Sequence, residues 1–90
     1  MVLRDISPSA PVHYLVVPRK HISTINALQA EDTQLIGELV LAAQRAAREL
    51  NIADGYKLIF NVGKGGGQII DHVHLHLLGG WSHVRDNARP

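Results

Sequence analysis

The chain has 90 residues, nine Lys or Arg against eight Asp or Glu, a formal charge of +1, and no cysteine. That length allows one domain, residues 1–90, with a modest core that a partner subunit would help to cover. Near-neutral charge argues against a nucleic-acid footprint, with Arg19-Lys20-His21 only a local basic patch. The missing cysteines exclude disulfides, thiolate metal sites and thiol nucleophiles. No apolar run approaches the ~20 residues that span a bilayer. Met1-Val2-Leu3-Arg4-Asp5 lacks the apolar stretch of a signal peptide, so a cytoplasmic protein without membrane attachment is expected.

Ile6-Ser7-Pro8-Ser9-Ala10-Pro11 reads as a loop held extended by its prolines. Residues 12–17, β-branched and aromatic, predict a buried strand that stops at Pro18. A polar connection with a short helical turn follows over residues 19–28. Leu35, Ile36, Leu39, Val40, Ala43, Ala46, Ala47 and Leu50 then recur at helical spacing and predict one long amphipathic helix. Glu31 and Asp32 are expected in its first turn and Arg45 and Arg48 towards its end near Asn51, matching the helix dipole. Asp54-Gly55 turns out of the helix, and residues 56–62 predict a second strand. A glycine-rich loop follows, and then the run His72-Val73-His74-Leu75-His76-Leu77-Leu78-Gly79-Gly80, read as a strand pairing antiparallel with the second. Residues 81–90 show no periodicity and are expected to be loosely held. The sum is an α+β domain, a small antiparallel sheet with one long helix on a face.

The histidine run carries the chemistry. Three of the six histidines fall within five positions. On a strand, His72, His74 and His76 would share one face and Val73, Leu75 and Leu77 the other. A metal site is one use of such a row. Residues two apart on a strand are separated by about 6.6 Å, however, so His72 and His76 would stand about 13 Å apart. Two neighbours plus an outside ligand such as His21 or Asp71 remain open, but three ligands in one row do not converge on a zinc ion. Metal-free nucleophilic catalysis suits the row better. A neutral imidazole attacks phosphorus and leaves readily, and the central His74 is best placed to do so. Its neighbours can then bind phosphate oxygens or carry protons.

Gly63-Lys64-Gly65-Gly66-Gly67 lies between two strands, so it lacks the context of a P-loop or a dinucleotide fingerprint. It is either a turn needing positive φ or a place where backbone N–H groups approach a phosphate.

The sequence His72-Val73-His74-Leu75-His76-Leu77-Leu78 resembles the signature of the histidine triad (HIT) superfamily. Asp5-Ile6-Ser7-Pro8, Leu15-Val16-Val17-Pro18-Arg19-Lys20-His21-Ile22-Ser23, Asn61, Gly66-Gly67-Gln68 and Leu78-Gly79-Gly80 extend the resemblance to its nucleotide-binding (HINT) branch. The resemblance implies a HIT-like fold and hydrolysis of purine nucleoside phosphoramidates and adenylates, with no cofactor or metal. It implies that His74 takes up the nucleotide as a nucleotidyl-histidine, flanked by His72 and His76, with His21 as a fourth histidine near the triad. It implies phosphate-side or ribose-side contacts from Asn61, Gly67 and Gln68, a ribose contact from Asp5, and nucleobase contacts from Leu3 and Ile6. It further implies a homodimer in which sheets join edge to edge. Two departures stand out. Ile69 occupies a position where the branch usually carries Ser or Thr, and the chain opens without the helix and strand pair that normally precede it. Both leave nucleotide binding without turnover as an alternative function.

Overall fold

The structure is a computed structural model, and it describes residues 1–81. The expectation for the tail therefore lies, apart from Trp81, outside the described residues. Four strands form one antiparallel sheet: β1 (Val2–Arg4), β2 (Val12–Val16), β3 (Tyr56–Ile59) and β4 (Leu75–Gly79), in the order β1-β2-β4-β3. One long helix, α1 (Thr33–Glu49), packs on one face. This is the expected α+β arrangement. Among the described residues no helix is long and apolar enough to cross a membrane.

Alternation decides which face is covered. Val16, Leu75 and Leu77 are fully buried, and Leu39, Ala43, Ala46 and Ala47 of α1 meet them in two adjoining clusters. The small alanines let the helix backbone lie close to the sheet. Val40, expected on the apolar face, lies at its margin and is exposed, as is Leu41 on the far side of the helix.

Both helix ends follow local chemistry. A 3-10 turn, Ala30–Asp32, precedes α1, and Gln29 and Asp32 form a reciprocal capping box. Asp32 is buried, accepts the Gln29 N–H at 2.9 Å and lies 2.6 Å from Lys20 Nζ. These bonds hold the Asp32 carboxyl below its ordinary range, Lys20 being the larger cause. They also pin the segment leading to His21 against the start of α1. The helix ends at Glu49, slightly before the expected limit, because Asn51 takes φ +61°. Asparagine tolerates that left-handed conformation better than most residues.

The strands depart from expectation in three places. Residues 2–4 pair with β2, although a three-residue edge strand leaves no periodic signal to read. β3 stops at Ile59, because Phe60 turns into the core beneath α1 rather than continuing the ladder. β4 begins only at Leu75, so His76 is the one triad histidine within the sheet. His72 and Val73 take other partners: the His72 N–H bonds Ile70 C=O at 2.8 Å, and the Val73 N–H bonds Ile22 C=O at 2.7 Å.

Candidate active site

The open face of the sheet builds the site. Leu3, Leu15, His76 and Ile59 lie directly opposite one another in register across all four strands. Directly paired residues share a face, so these four form one transverse row. In the next row His13 pairs with Leu78, and Asp5 faces His13 through its N–H to the His13 C=O at 3.0 Å. His13 is therefore the diagonal neighbour of His76, within reach of a long side chain.

The side chains use that placement. His13 Nε2 lies 2.8 Å from His76 Nδ1 and 3.4 Å from Asp5 Oδ2, while the Ser9 backbone N–H donates to His13 Nδ1 at 2.9 Å. The His74 ring meets the His76 ring edge-on, 4.9 Å between centroids. His74 is itself buried, and its Nδ1 lies 2.8 Å from the His72 carbonyl oxygen. A carbonyl only accepts, so Nδ1 carries the proton and Nε2 the lone pair. Burial, and then the charges that the His74 and His13 rings can carry, push His76 below the ordinary imidazole pKa, with Asp5 opposing.

The remaining expected residues divide into groups. His21 and His72 form a second ring pair, 4.9 Å between centroids, and His72 Nε2 is buried without a hydrogen-bond partner. Gln68 ties the glycine loop down. Its Oε1 accepts the Gly63 N–H at 3.0 Å, and its Nε2 donates to Ser23 C=O at 2.6 Å and Ile70 C=O at 2.9 Å. Both amide hydrogens are thereby used, so Gln68 shapes the loop and has no N–H left for a phosphate. Asn61 Nδ2 donates to Gly66 C=O at 2.9 Å. Gly67, at φ +86°, caps the short turn Lys64–Gly66, a conformation that favours glycine. Asp5 is partly engaged, since its Oδ1 accepts the Ser7 N–H at 2.7 Å. Leu3 stands in the His76 row, whereas Ile6 is 98% exposed and Ile69 92%.

His13 is the residue that sequence reasoning missed. It reads there as one polar residue in a buried strand, and only the β2–β4 register carries it to His76.

Among the described residues, the three groups close enough to share a cation are Asp5, His13 and His76, not the triad with His21 or Asp71. Their donor chemistry suits hydrogen bonding better than coordination. A ligating imidazole normally gives its other ring N–H to an acceptor, but His13 Nδ1 instead receives an N–H from Ser9. With Nδ1 lacking its proton, Nε2 of the neutral ring must keep one, and a protonated nitrogen cannot bind a metal.

Comparison with known proteins shows the family and the fold. The HIT domain profile matches residues 1–83. The chain is 47% identical over 78 residues to the purine nucleoside phosphoramidase of Escherichia coli (strain K12), covering 86% of this chain. It spans 66% of that relative's length. A HIT family hydrolase from Legionella pneumophila Philadelphia 1 superposes with TM-score 0.87 at 45% identity, covering 90% of this chain and 73% of the other. A HIT family hydrolase from Clostridium thermocellum superposes with TM-score 0.87 at 38% identity, covering 94% and 75%. The four-stranded antiparallel sheet with one long helix matches the HIT-like α+β fold of these neighbours. The chain belongs to the HIT domain family.

Proposed function

We propose that the protein hydrolyses purine nucleoside phosphoramidates, and related adenylates, through a covalent nucleotidyl intermediate on His74. The observation that carries this reading is the bond between His74 Nδ1 and the His72 carbonyl, which leaves the Nε2 lone pair free beside His76. Nε2 attacks phosphorus, a P–N bond forms to the enzyme, and the bond to the substrate amine breaks. The amine leaves with one proton from the site or solvent. Water then attacks phosphorus, His74 leaves, and the proton released from water restores the one borrowed. The products are a nucleoside monophosphate and an amine. His76, neutral through its lowered pKa, supplies an N–H to a phosphate oxygen. His72 and His21 complete the phosphate side, and the loop held by Asn61, Gly67 and Gln68 borders it. Asp5 and Leu3 stand along the His13 and His76 rows, where ribose and base would lie, with Ile6 at the margin. The similarity to the E. coli phosphoramidase supports the substrate class.

The test is turnover of an adenosine phosphoramidate. His74→Asn, which keeps a side-chain amide near Nδ1 but lacks the nucleophile, is expected to lose at least about 1,000-fold in kcat while remaining folded. Undiminished turnover would end the proposal. The exposed Ile69 favours a second reading, binding without turnover, because its side chain offers no hydrogen bond to a leaving group. Calorimetric AMP binding by a wild-type protein inert towards every phosphoramidate would select it.

We also propose a homodimer joined along β3. That strand ends the sheet opposite β1 and exposes Leu58 and Ile59. An open edge with apolar side chains is what a second copy would cover.

A further inference from the structure

We infer that Lys20 and Asp32 form a positioning clamp for the loop that carries His72 and His74. The effect on turnover rests on the catalytic reading above, whereas the clamp itself rests on hydrogen bonds. Residues 17–24, between β2 and the 3-10 turn Ile25–Ala27, have no helix or strand of their own. Their polar groups therefore find partners elsewhere. At one end Lys20 Nζ donates to Asp32 Oδ1 at 2.6 Å. At the other, Ile22 C=O accepts the Val73 N–H at 2.7 Å and Ser23 C=O accepts Gln68 Nε2 at 2.6 Å. Between them the His21 ring meets the His72 ring edge-on. Residues 68–74 are equally irregular, lying between the turn Lys64–Gly66 and β4. The bonds from His72 N–H to Ile70 C=O and from Gly63 N–H to Gln68 Oε1 close that loop on itself. Ile22 and Ser23 tie it to the body of the molecule.

Asp32 decides where that segment lies. Its side chain is only 4% exposed, and its other oxygen accepts the Gln29 N–H at 2.9 Å. The capping box fixes it at the start of α1, and α1 packs on the sheet. A buried carboxylate holds its cation, because losing it would leave an unpaired charge. Glu31, at 3.6 Å and exposed, is a weaker second partner for Lys20. The buried Ile22 side chain anchors the same segment in the core beside Leu39 and Val73. Apolar burial is non-directional, however, so it sets the depth of the segment and not its orientation. The ion pair supplies the second fixed point. Two fixed points then place the Ile22 and Ser23 carbonyls. These place the backbone at His72, whose carbonyl oxygen lies 2.8 Å from His74 Nδ1. A displacement of about 1 Å there would break that bond and release the tautomer of the nucleophile. Lys20 and Asp32 touch no reacting atom in this scheme and act only through the loop.

The experiment pairs amide hydrogen exchange with kinetics on wild type, Lys20→Met, Lys20→Arg and the double variant Lys20→Met with Asp32→Asn. The Val73 N–H, bonded to Ile22 C=O, reports the hold on the loop, and the β4 amides report the sheet. In Lys20→Met the Val73 amide should exchange at least about 10-fold faster, over and above any acceleration shared by β4, as local opening requires. The same variant should lower kcat for an adenosine phosphoramidate by about 10- to 100-fold. KM should change by less than about threefold, since the loss falls on alignment of the nucleophile. Lys20→Arg, which keeps a cation for Asp32, should recover most of both readouts. The double variant leaves no unpaired buried charge, so it decides the matter even where Lys20→Met does not fold, and it should behave as Lys20→Met. Equal acceleration at Val73 and β4 would overturn the inference, as would a double variant with kcat within about twofold of wild type. Lys20→Arg no better than Lys20→Met would overturn it too. A wild type inert towards every phosphoramidate would defeat the catalytic reading alone, and the exchange contrast would still decide the clamp.

Discussion

His76 joins the sheet, the polar cluster and the triad, and its environment makes a pH prediction. Burial and the neighbouring rings lower its pKa in the folded state. The unfolded chain, with an ordinary imidazole near 6.5, then binds more protons over the interval between the two values. Stability from this group is fully present above about pH 6.5 and is lost as pH falls through the folded pKa. Denaturation midpoints of wild type should therefore drop as pH falls below about 6.5, and His76→Gln should flatten that drop. A variant with the wild-type slope would assign the acid sensitivity to another group.

At the level of elements, β4 supports everything else. Leu77 is fully buried between the sheet and α1, and Leu77→Ala should cost about 2–5 kcal/mol in chemical denaturation. The end of β4 is equally constrained. Gly80 sits at φ +86°, and an added Cβ would lie 2.9 Å from Val12 Cγ2 and 3.2 Å from Pro11 Cβ. Gly80→Ala should lose about 1–3 kcal/mol from backbone strain and overpacking together. A change within about 0.5 kcal/mol would mean that the Pro11 loop yields freely.

The elements also show what the sequence could and could not convey. The helix was legible because apolar positions from Leu35 to Ala47 recur at helical spacing, and the alternation of Val73, Leu75 and Leu77 was legible as the period of a strand. The three-residue β1 was too short to carry a period. The early end of β3 depends on Phe60 finding a place in the core, a tertiary event. The site followed the same divide. The histidine run announces itself locally, whereas His13 enters only through the β2–β4 register, which no local pattern specifies. Gln68 shows the converse. Its place in the motif suggests a ligand contact, but its amide is committed to Ser23 and Ile70.

For the molecule as a whole, the sheet has two edges and one bare face. The bare face holds the rows built on His76 and His13, and the β3 edge is where a second copy is proposed to join. Light scattering at micromolar concentration should give the mass of two chains, and Leu58→Lys combined with Ile59→Lys should give one. A wild-type monomer would contradict the edge-to-edge arrangement without touching the chemistry on the open face.

That chemistry has its most direct test in the covalent state itself. Acid or base quenching of the protein during turnover of an adenosine phosphoramidate, followed by mass spectrometry of the peptide holding residues 72–76, should reveal a base-stable, acid-labile adenylyl group on His74. His74→Asn should show none. Turnover that proceeds with His74 unmodified at every quench time, or with the adduct on another histidine, would contradict the account.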